Sequence, residues 1–438
     1  MLSLVRYISK YKWLLLVSFI LSACASAQAV IDSTQLPDAP GQQGEEITQT
    51  SPGNSVLQPT ALPAPTKTPE GEDPAVDVSP PSPTLLAEEK PPSGATSQFS
   101  TDFSIHSVPY NEILSGGPPK DGIPALDDPQ FISVDQAGDW LAPVEPVILF
   151  KVGDDARAYP LQILTWHEIV NDTVGDVPVV VTFCPLCNTA IVFERTVNGE
   201  VFDFGTTGRL RFSNLIMYDR QTETWWQQAT GEAIAGKLTG THLKFLPATI
   251  IPWEEFKSQY PDGKVLSRDT GYTRSYGRNP YTGYDNINNS PFLYRGPETP
   301  GRLPPMARVI TVDLNGEAVA YPYNILEDQH IVNDSVGGED IVVVWQPGTA
   351  SALDSASLAD GQDVGTAVVF SRRIEAQTLS FTFDGSSILD EQTGSQWNLL
   401  GQAIGGQLQG EQLDEVVSIN HFWFSWAAFR PETRIYGP

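Results

Sequence analysis

Two cysteines three residues apart are the clearest chemical feature of this 438-residue chain. Cys184 and Cys187 lie in the segment CPLC, between two runs of β-branched and aromatic residues. Two thiolates at this spacing can bind one transition-metal ion, and a thiol pair can also cycle between reduced and disulfide forms. A structural disulfide and two inert buried thiols are further interpretations, but a bridge across so short a loop stabilises a fold by only about 2 kcal/mol. The sequence favours the metal site.

His167 is the nearest residue in the sequence that could extend a metal site beyond the two thiols. A tetrahedral site needs more than two ligands, and the chain has no second cysteine pair. Met217 and Asp219 are further candidates, and a ligand set of cysteine, histidine and methionine would favour copper. We predict a zinc or copper site formed by Cys184, Cys187 and His167. This requires the short helix that His167 ends to run back along the strand before Cys184; otherwise His167 is an ordinary buried histidine.

Thiol–disulfide exchange is the alternative function of the same two cysteines. Thioredoxin-like proteins place their cysteine pair at the N-terminus of a helix, which lowers the pKa of the attacking thiol. Here residues 189–197 (TAIVFERTV) predict a strand that ends at the hairpin turn Asn198-Gly199. This disfavours a thioredoxin fold, but a thiol–disulfide oxidoreductase with Cys184 and Cys187 as catalytic residues remains an alternative. Whether the protein is an enzyme is therefore open.

The elements around these residues occur twice in the chain. Residues 158–172 (AYPLQILTWHEIVND) recur as residues 320–334 (AYPYNILEDQHIVND), and residues 219–240 and 253–261 also have later counterparts. Each copy alternates strand-like runs with short helical segments. We therefore predict a β-rich α+β fold of two tandem pseudo-symmetric repeats. The second copy continues as Gln346-Pro347-Gly348-Thr349 where the first has CPLC, so we expect it to be a degenerate copy without the thiol site.

The N-terminus carries a targeting signal. Basic residues precede the apolar run 13–21, which is too short to span a membrane comfortably. The following Leu-Ser-Ala-Cys24 resembles the bacterial lipobox, in which the cysteine is lipidated and the chain is cut before it; an ordinary signal peptide cleaved near residues 25–27 is the alternative. We predict a signal peptide over residues 1–23, lipidation of Cys24, and a protein anchored by lipid on the extracytoplasmic face of the cell membrane.

Composition changes along the chain predict its domain boundaries. Residues 24–101 are rich in Pro, Ser, Thr, Gln and acids, which predicts a disordered tether. We place the first repeat at residues 102–270 and the second at residues 301–438. A connecting loop rich in Tyr and Asn, residues 271–300, lies between them.

The overall charge and the aromatic residues bear on possible partners. A net charge of −27 argues against nucleic-acid binding, because such a chain repels a phosphate backbone. Trp225, Trp226, Trp253 and the tyrosine-rich loop are candidates for an aromatic surface that binds a small ligand or glycan, whereas the alternative is that these rings are core residues. The partners that we predict are the membrane, through the N-terminal lipid, and a small ligand or a protein that the sequence does not identify.

Five segments resemble one bacterial and archaeal family of unknown function, DUF3179. They are AYPLQILTWHEIVNDTVG, TFCPLCNTAIVFER, LIMYDRQTETWWQ, GYTRSYGRNPYTGY and HFWFSWAAFRPET. The resemblance covers about residues 140–438 and includes the CPLC segment. It implies no particular activity. Many members of the family look like secreted proteins or lipoproteins, which agrees with the prediction for Cys24.

Overall fold

The computed structural model describes residues 86–87, 89–299 and 301–437. The predicted signal peptide, Cys24 and most of the predicted tether lie outside these residues. Within the described part of the chain, no helix is both long enough and apolar enough to cross a membrane.

Short, mostly antiparallel strands dominate the first repeat. Its strands are β1 (Ile113–Ser115), β2 (Phe131–Ser133), β3 (Pro146–Val152), β4 (Asp155–Pro160), β5 (Ile169–Val174), β6 (Val177–Cys184), β7 (Thr189–Glu194), β8 (Thr196–Val197), β9 (Glu200–Val201), β10 (Phe204–Arg211), β11 (Asn214–Asp219), β12 (Trp225–Gln227), β13 (Glu232–Ala235), β14 (Lys244–Leu246), β15 (Thr249–Pro252) and β16 (Lys264–Leu266). Its helices are α1 (Val134–Ala137), α2 (Leu161–His167) and α3 (Trp253–Gln259), with a 3-10 turn at Tyr110–Glu112.

The second repeat has the same character. Its strands are β17 (Arg308–Leu314), β18 (Glu317–Pro322), β19 (Ile331–Val336), β20 (Glu339–Gln346), β21 (Thr366–Ser371), β22 (Arg373–Ile374), β23 (Gln377–Thr378), β24 (Phe381–Phe383), β25 (Ile388–Asp390), β26 (Gln396–Trp397), β27 (Ala403–Gly405), β28 (Ser418–Phe422) and β29 (Arg434–Ile435). Its helices are α4 (Tyr323–Gln329) and α5 (Trp423–Ala427), with a 3-10 turn at Leu358–Asp360. The predicted β-rich α+β fold is confirmed.

Both repeats contain the same supersecondary unit. A hairpin (β3–β4 or β17–β18) is followed by a short helix (α2 or α4) and then by three antiparallel strands (β5–β6–β7 or β19–β20–β21). Pro160 and Pro322 each precede the helix, at a position whose backbone N–H has no partner within the helix. Each helix is followed by a residue with positive φ, Glu168 or His330, both with φ of 59°. This reversal starts the next strand.

The repeats differ in the turn after the middle strand. In the first repeat Cys184 pairs with Thr189 across a tight turn, whereas in the second Gln346 pairs with Thr366 across a loop of residues 347–365. The structural counterpart of Thr189 is therefore Thr366, which follows the longer loop. The longer loop packs on the connecting loop, where the backbone N–H of Gly283 donates to the carbonyl of Asp354.

The predicted C-terminal limit of the tether at residue 101 is wrong. Ala95 and Phe99 are buried, and the Phe99 ring packs edge-on against Tyr218 and Trp225, with centroid distances of 5.2 and 5.1 Å. Within the described residues, contacts with the fold begin at Leu86, whose N–H donates to the carbonyl of His106. A few apolar side chains hold this segment by burial, although its overall composition resembles a linker.

The tryptophans proposed for a ligand surface are core residues. The exposed fractions are 0% for Trp225 and Trp226 and 2% for Trp253. Trp253 belongs to an apolar cluster that also contains Phe370 and Trp397 of the second repeat. The prediction of a tryptophan surface is therefore wrong, because rings of this size contribute most to stability when they are buried between layers.

Candidate functional site

The two cysteines lie in the turn between β6 and β7. The turn is closed by the backbone N–H of Cys187, which donates to the carbonyl of Cys184, and it ends at Asn188 with φ of 53°. Cys184 and Cys187 form a disulfide with their Cα atoms 5.3 Å apart. Their exposed fractions are 2% and 0%, within an apolar cluster that includes Met217 and Trp226. The sulfur atoms are thus shielded from solvent.

His167 lies at the end of β6 that carries Cys184, as the predicted metal site requires. Strands β5 and β6 are antiparallel, with Ile169 opposite Thr182, so the end of α2 is brought to the far end of β6. Both ring nitrogens nevertheless have other partners. Nδ1 donates to the carbonyl of Pro124 at 2.7 Å, so Nε2 accepts from the Tyr276 hydroxyl at 2.6 Å. Metal binding by His167 would have to break one of these hydrogen bonds.

The other proposed ligands have structural surroundings. Met217 packs in the apolar cluster that holds the cysteines. The Asp219 carboxylate accepts from the N–H of Thr222 and from the indole of Trp226, and Asp390 makes the equivalent bonds in the second repeat. Asp219 therefore stabilises a turn that both repeats share. Among the described residues, no group of three or more His, Cys, Asp and Glu side chains could hold a metal ion. The metal site stays a prediction.

Glu168 is a buried carboxyl directly after His167. It terminates α2 with φ of 59°, a conformation that is uncommon outside glycine and concentrates at functional sites. Its carbonyl accepts from the N–H of Phe183, which fixes it beside the CPLC turn. The side chain is 8% exposed and has no hydrogen-bond partner among the described residues. Burial raises the pKa of Glu168 to about 8, so the group is mainly a neutral acid at pH 7.

The equivalent residue of the second repeat, His330, has a different environment. Its backbone has the same φ of 59°, and its carbonyl accepts from the N–H of Trp345. Its ring, however, packs on Phe383 with a centroid distance of 4.4 Å. The backbone arrangement is therefore common to both repeats, while the carboxyl belongs to the first repeat alone.

Glu168 lines a cavity of about 460 Å³. Its walls come from the end of α2, the CPLC turn, strands β10 and β11, and the connecting loop, and they are mostly apolar. The lining residues are Gly116, Pro118, Ile123, Glu168, Leu186, Thr206, Gly208, Arg209, Leu210, Leu215, Pro280, Tyr281, Thr282, Gly283, Tyr284, Asn289 and Phe292. A cavity of this size lies within the usual range for small organic ligands, about 300–1,000 Å³.

The connecting loop joins the CPLC turn to the cavity. The Tyr284 hydroxyl donates to the carbonyl of Leu186 at 3.1 Å and accepts from the N–H of Phe292 at 3.2 Å. The Tyr281 hydroxyl has no hydrogen-bond partner within the described residues, and burial, together with the charge of Glu168, raises the pKa of Tyr281. The predicted tyrosine-rich loop is therefore one wall of the cavity.

Arg209 is the basic residue of the cavity wall. It is 6% exposed, and its Nη2 donates to the carbonyl of Ser93 at 2.7 Å. It follows a β-bulge between β10 and β11, where the pairing shifts between Thr206 and Arg209. Gly208 in this bulge has φ of 67°, and a Cβ atom there would lie 2.0 Å from the carbonyl oxygen of Pro118. The bulge therefore requires glycine next to Arg209.

The second repeat supports the CPLC turn from the other side. The N–H of Phe422 donates to the carbonyl of Cys187, and Nδ1 of the fully buried His421 bonds the Thr189 hydroxyl at 2.9 Å. Burial lowers the pKa of His421 to about 3, so it is neutral.

Sequence reasoning included Tyr281 only as part of the tyrosine-rich loop, and it missed Glu168, Arg209 and His421. Only the position of Glu168, directly after His167, was a signal that could have identified it.

Comparison with known proteins identifies a family and no activity. The model of a family described as "Protein of unknown function (DUF3179)" matches residues 120–433, a range that includes Glu168, the CPLC turn, Arg209 and the connecting loop. No curated protein and no solved structure matches the chain.

Proposed function

We propose that this chain, which belongs to the DUF3179 family, binds a small organic molecule in the cavity beside the CPLC turn. The observation that carries the proposal is Glu168, a buried carboxyl that has no hydrogen-bond partner in the described part of the chain and lines a mostly apolar cavity. A few unsatisfied polar groups in an apolar cavity are typical of binding sites.

The cavity lining indicates how such a molecule would be held. Ile123, Leu215 and Phe292 offer apolar contacts to its body. The neutral Glu168 carboxyl can donate one hydrogen bond and accept another, and the Tyr281 hydroxyl can do the same. The expected ligand therefore has an apolar body and at least one group that accepts a hydrogen bond.

The metal and redox functions remain alternatives with less support. The two sulfur atoms are buried, and thiol–disulfide exchange requires access of an attacking thiolate to a sulfur. A zinc or copper site would need reduced cysteines and the release of His167 from Pro124 or Tyr276. Neither change is needed for ligand binding in the cavity.

We also propose that lipid on Cys24 holds the protein on the extracytoplasmic face of the membrane. This proposal is supported by the sequence Leu-Ser-Ala-Cys24 after a short apolar run. The cavity would then face the medium outside the cell, where it could receive a small molecule.

Binding of a neutral fluorescent dye, N-phenylnaphthylamine, tests the cavity. The fluorescence of the dye increases in apolar surroundings. The dye is titrated into a protein that begins at residue 25, which carries no lipid and retains every residue from Leu86 on. We expect saturable binding of one dye per chain. Thr282→Trp, at an exposed position of the cavity wall, should occupy part of the cavity and weaken binding by about tenfold or more.

Thr273→Trp is the matched control, because Thr273 is an exposed threonine of the same loop that does not line the cavity. It should bind the dye as the wild type does. The proposal is wrong if the wild type shows no saturable binding, or if Thr282→Trp and Thr273→Trp bind the dye equally well.

A further inference from the structure

The carboxyl of Glu168 lies close to aromatic side chains of the connecting loop. Glu168 follows α2, whereas Tyr281 belongs to the loop, yet the charge of Glu168 raises the pKa of the Tyr281 hydroxyl. The two polar groups are therefore near each other in the cavity that both residues line. Tyr284 and Phe292 of the same loop also line it. Glu168, the one acidic residue of the described cavity lining, thus shares the cavity with three aromatic rings.

This carboxyl lacks the cation that other buried carboxyls of the protein have. Asp172 is equally buried, at 8% exposed, and forms an ion pair of 2.7 Å with Arg157. For Glu168, within the described structure, burial alone raises the pKa to about 8, and no positive group of the protein opposes the shift. A buried carboxyl ionises readily only when an opposite charge or several hydrogen-bond donors stabilise the carboxylate.

Arg209 does not provide that charge. It contributes to the cavity wall, but successive residues of a strand point to opposite faces of the sheet, so its side chain lies on the other face from Leu210. There its guanidinium donates to the carbonyl of Ser93 at 2.7 Å. A cation that pairs with Glu168 would have to come from a ligand.

The other titratable groups beside Glu168 are neutral at pH 7. Burial raises the pKa of the Tyr281 and Tyr284 hydroxyls. Burial lowers the pKa of His167, the preceding residue, and both of its ring nitrogens have hydrogen-bond partners. Among the described residues that line the cavity, Glu168 is therefore the group whose charge changes between pH 6 and pH 8.

We infer that the ligand of this cavity is an aliphatic amine with an apolar body, and that Glu168 binds its nitrogen. The inference rests on the proposed function, since it specifies the ligand of the same cavity. The nitrogen takes the proton of the Glu168 carboxyl, which leaves a carboxylate bonded to an ammonium N–H. Since an aliphatic amine is already protonated in water at pH 7, net binding releases about one proton to the solvent.

Two further features favour a cation at this place. The faces of aromatic rings attract ammonium groups, and Tyr281, Tyr284 and Phe292 line the cavity. The chain as a whole has a charge of −27, which attracts cations and repels anions.

Competition between two octyl compounds tests the inference. Octylamine and 1-octanol have the same apolar chain and differ in the head group, and each is used to displace N-phenylnaphthylamine from the protein that begins at residue 25. At pH 7 we expect octylamine to bind at least about tenfold more tightly than octanol. Glu168→Gln should remove this advantage, because an ammonium group without a carboxylate leaves water less readily than a hydroxyl. The affinity of this variant for octanol should stay within about threefold of the wild type.

The pH dependence of binding is a second readout that needs no variant. A proton on Glu168 competes with the ammonium group, so the affinity of the wild type for octylamine should rise by about tenfold from pH 6 to pH 7 and level off above pH 8. The affinity for octanol should stay constant over this range. This readout decides the inference even if Glu168→Gln does not fold.

Glu255→Gln is the matched control. Burial also raises the pKa of Glu255, but this residue lies in α3 and does not line the cavity. The variant should leave both affinities and the pH dependence unchanged.

The outcomes separate this inference from the proposed function. If the dye binds and octanol displaces it, but octylamine binds no more tightly than octanol, the cavity is a binding site and the inference about amines is wrong. The same holds if Glu168→Gln keeps the whole advantage of octylamine, or if the affinity for octylamine is equal at pH 6 and pH 8. If the wild type shows no saturable binding of the dye, the proposed function itself fails and the inference fails with it.

Discussion

Glu168 and His330 occupy equivalent positions at the ends of two equivalent helices, with the same left-handed backbone. In the second repeat the side chain is an aromatic ring that packs on Phe383. In the first repeat it is a carboxyl without a protein partner in the described structure, and it lines the cavity. The two repeats thus share the backbone conformation at this position. The carboxyl of Glu168 gives the first repeat a chemistry that the second repeat, with His330, does not have.

We predict that Glu168→Gln flattens the dependence of stability on pH. The ordinary pKa of 4.5 applies to the unfolded chain, whereas burial raises it to about 8 in the folded protein. Between these values the folded chain keeps a proton that the unfolded chain has lost. The free energy of unfolding therefore falls as pH rises through this window, by up to about 1.4 kcal/mol per pH unit. The stabilisation that the Glu168 proton provides is fully present only below pH 4.5.

Urea unfolding of wild type and Glu168→Gln between pH 5 and pH 8 measures this effect. The difference in slope between the two proteins reports Glu168, since the other carboxyls whose pKa is raised by desolvation, Glu145, Glu255 and Glu415, are the same in both. Equal slopes would show that Glu168 is ionised in the folded protein at neutral pH.

Leu186 contacts both the cysteine cluster and the cavity. It packs against the cluster that holds Cys184 and Cys187, and it also lines the cavity. We predict that Leu186→Ala speeds reduction of the disulfide by dithiothreitol about tenfold or more, because it opens a path for a thiolate to a buried sulfur. The rate is measured by thiol titration under native conditions. Leu238→Ala, in the same cluster but not in the cavity wall, is the control and should change the rate little.

The same titration separates the three interpretations of the cysteines when it is combined with metal analysis of protein purified without chelator. We expect no free thiol at Cys184 or Cys187 before reductant is added. Two free thiols with one bound zinc or copper ion would instead support the predicted metal site. A disulfide that is reduced rapidly in the wild type would support an oxidoreductase.

At the scale of elements, one bulge and one helix end build the cavity. The bulge after Thr206 brings Arg209 into the wall, and the left-handed end of α2 places Glu168 beside the CPLC turn. Both are interruptions of regular structure. The strands around them fix their positions, since β10 and β6 are each paired with neighbours on both sides.

We predict that Gly208→Ala destabilises the protein by about 2–4 kcal/mol. Its φ of 67° disfavours any side chain, and the added Cβ would lie 2.0 Å from the backbone oxygen of Pro118. Gly199→Ala is the control: Gly199 has φ of 83°, but nothing lies within 4 Å of its Cβ position. It should lose only about 1 kcal/mol, the cost of the backbone conformation alone. Chemical unfolding measures the free energy of unfolding of both variants. Equal losses of stability would contradict the close contact at Gly208.

At the scale of the whole molecule, the two repeats are not independent. The Phe422 N–H of the second repeat donates to the carbonyl of Cys187, and His421 bonds the hydroxyl of Thr189 in β7. The core around Trp253 includes residues of both repeats. The first repeat therefore contains the cavity, and the second repeat packs against the first and stabilises it.

We predict that Cys24→Ala abolishes lipid anchoring. The variant should be released from membranes or accumulate as an uncleaved precursor, because the lipid is attached to the cysteine thiol. Fractionation of cells, with immunodetection of the membrane and soluble fractions, measures the outcome. Ser22→Thr, a conservative change at a neighbouring position, should stay in the membrane fraction. Membrane attachment of Cys24→Ala that equals that of the wild type would falsify the lipoprotein prediction.

The sequence alone determined the features that depend on local pattern. Strand-like apolar runs and turn signals predict the β-rich fold. The recurrence of AYP and IVND predicts the two repeats. Such local patterns determine which residues pair and which are buried. The same information placed His167 and the cysteines on neighbouring elements. It could not reveal that Nε2 of His167 is bonded to Tyr276, which lies more than a hundred residues later in the chain.

Only the tertiary structure decided what surrounds each side chain. Glu168 is ordinary in sequence, and its neutral state follows from burial by segments distant along the chain, including Tyr281 and Leu215. Phe99 lies in a segment with the composition of a linker, yet it is buried because its ring packs against Tyr218 and Trp225. Burial, charge pairing and the shape of a cavity depend on contacts between distant segments, and a local sequence pattern carries no information about them until the chain is folded.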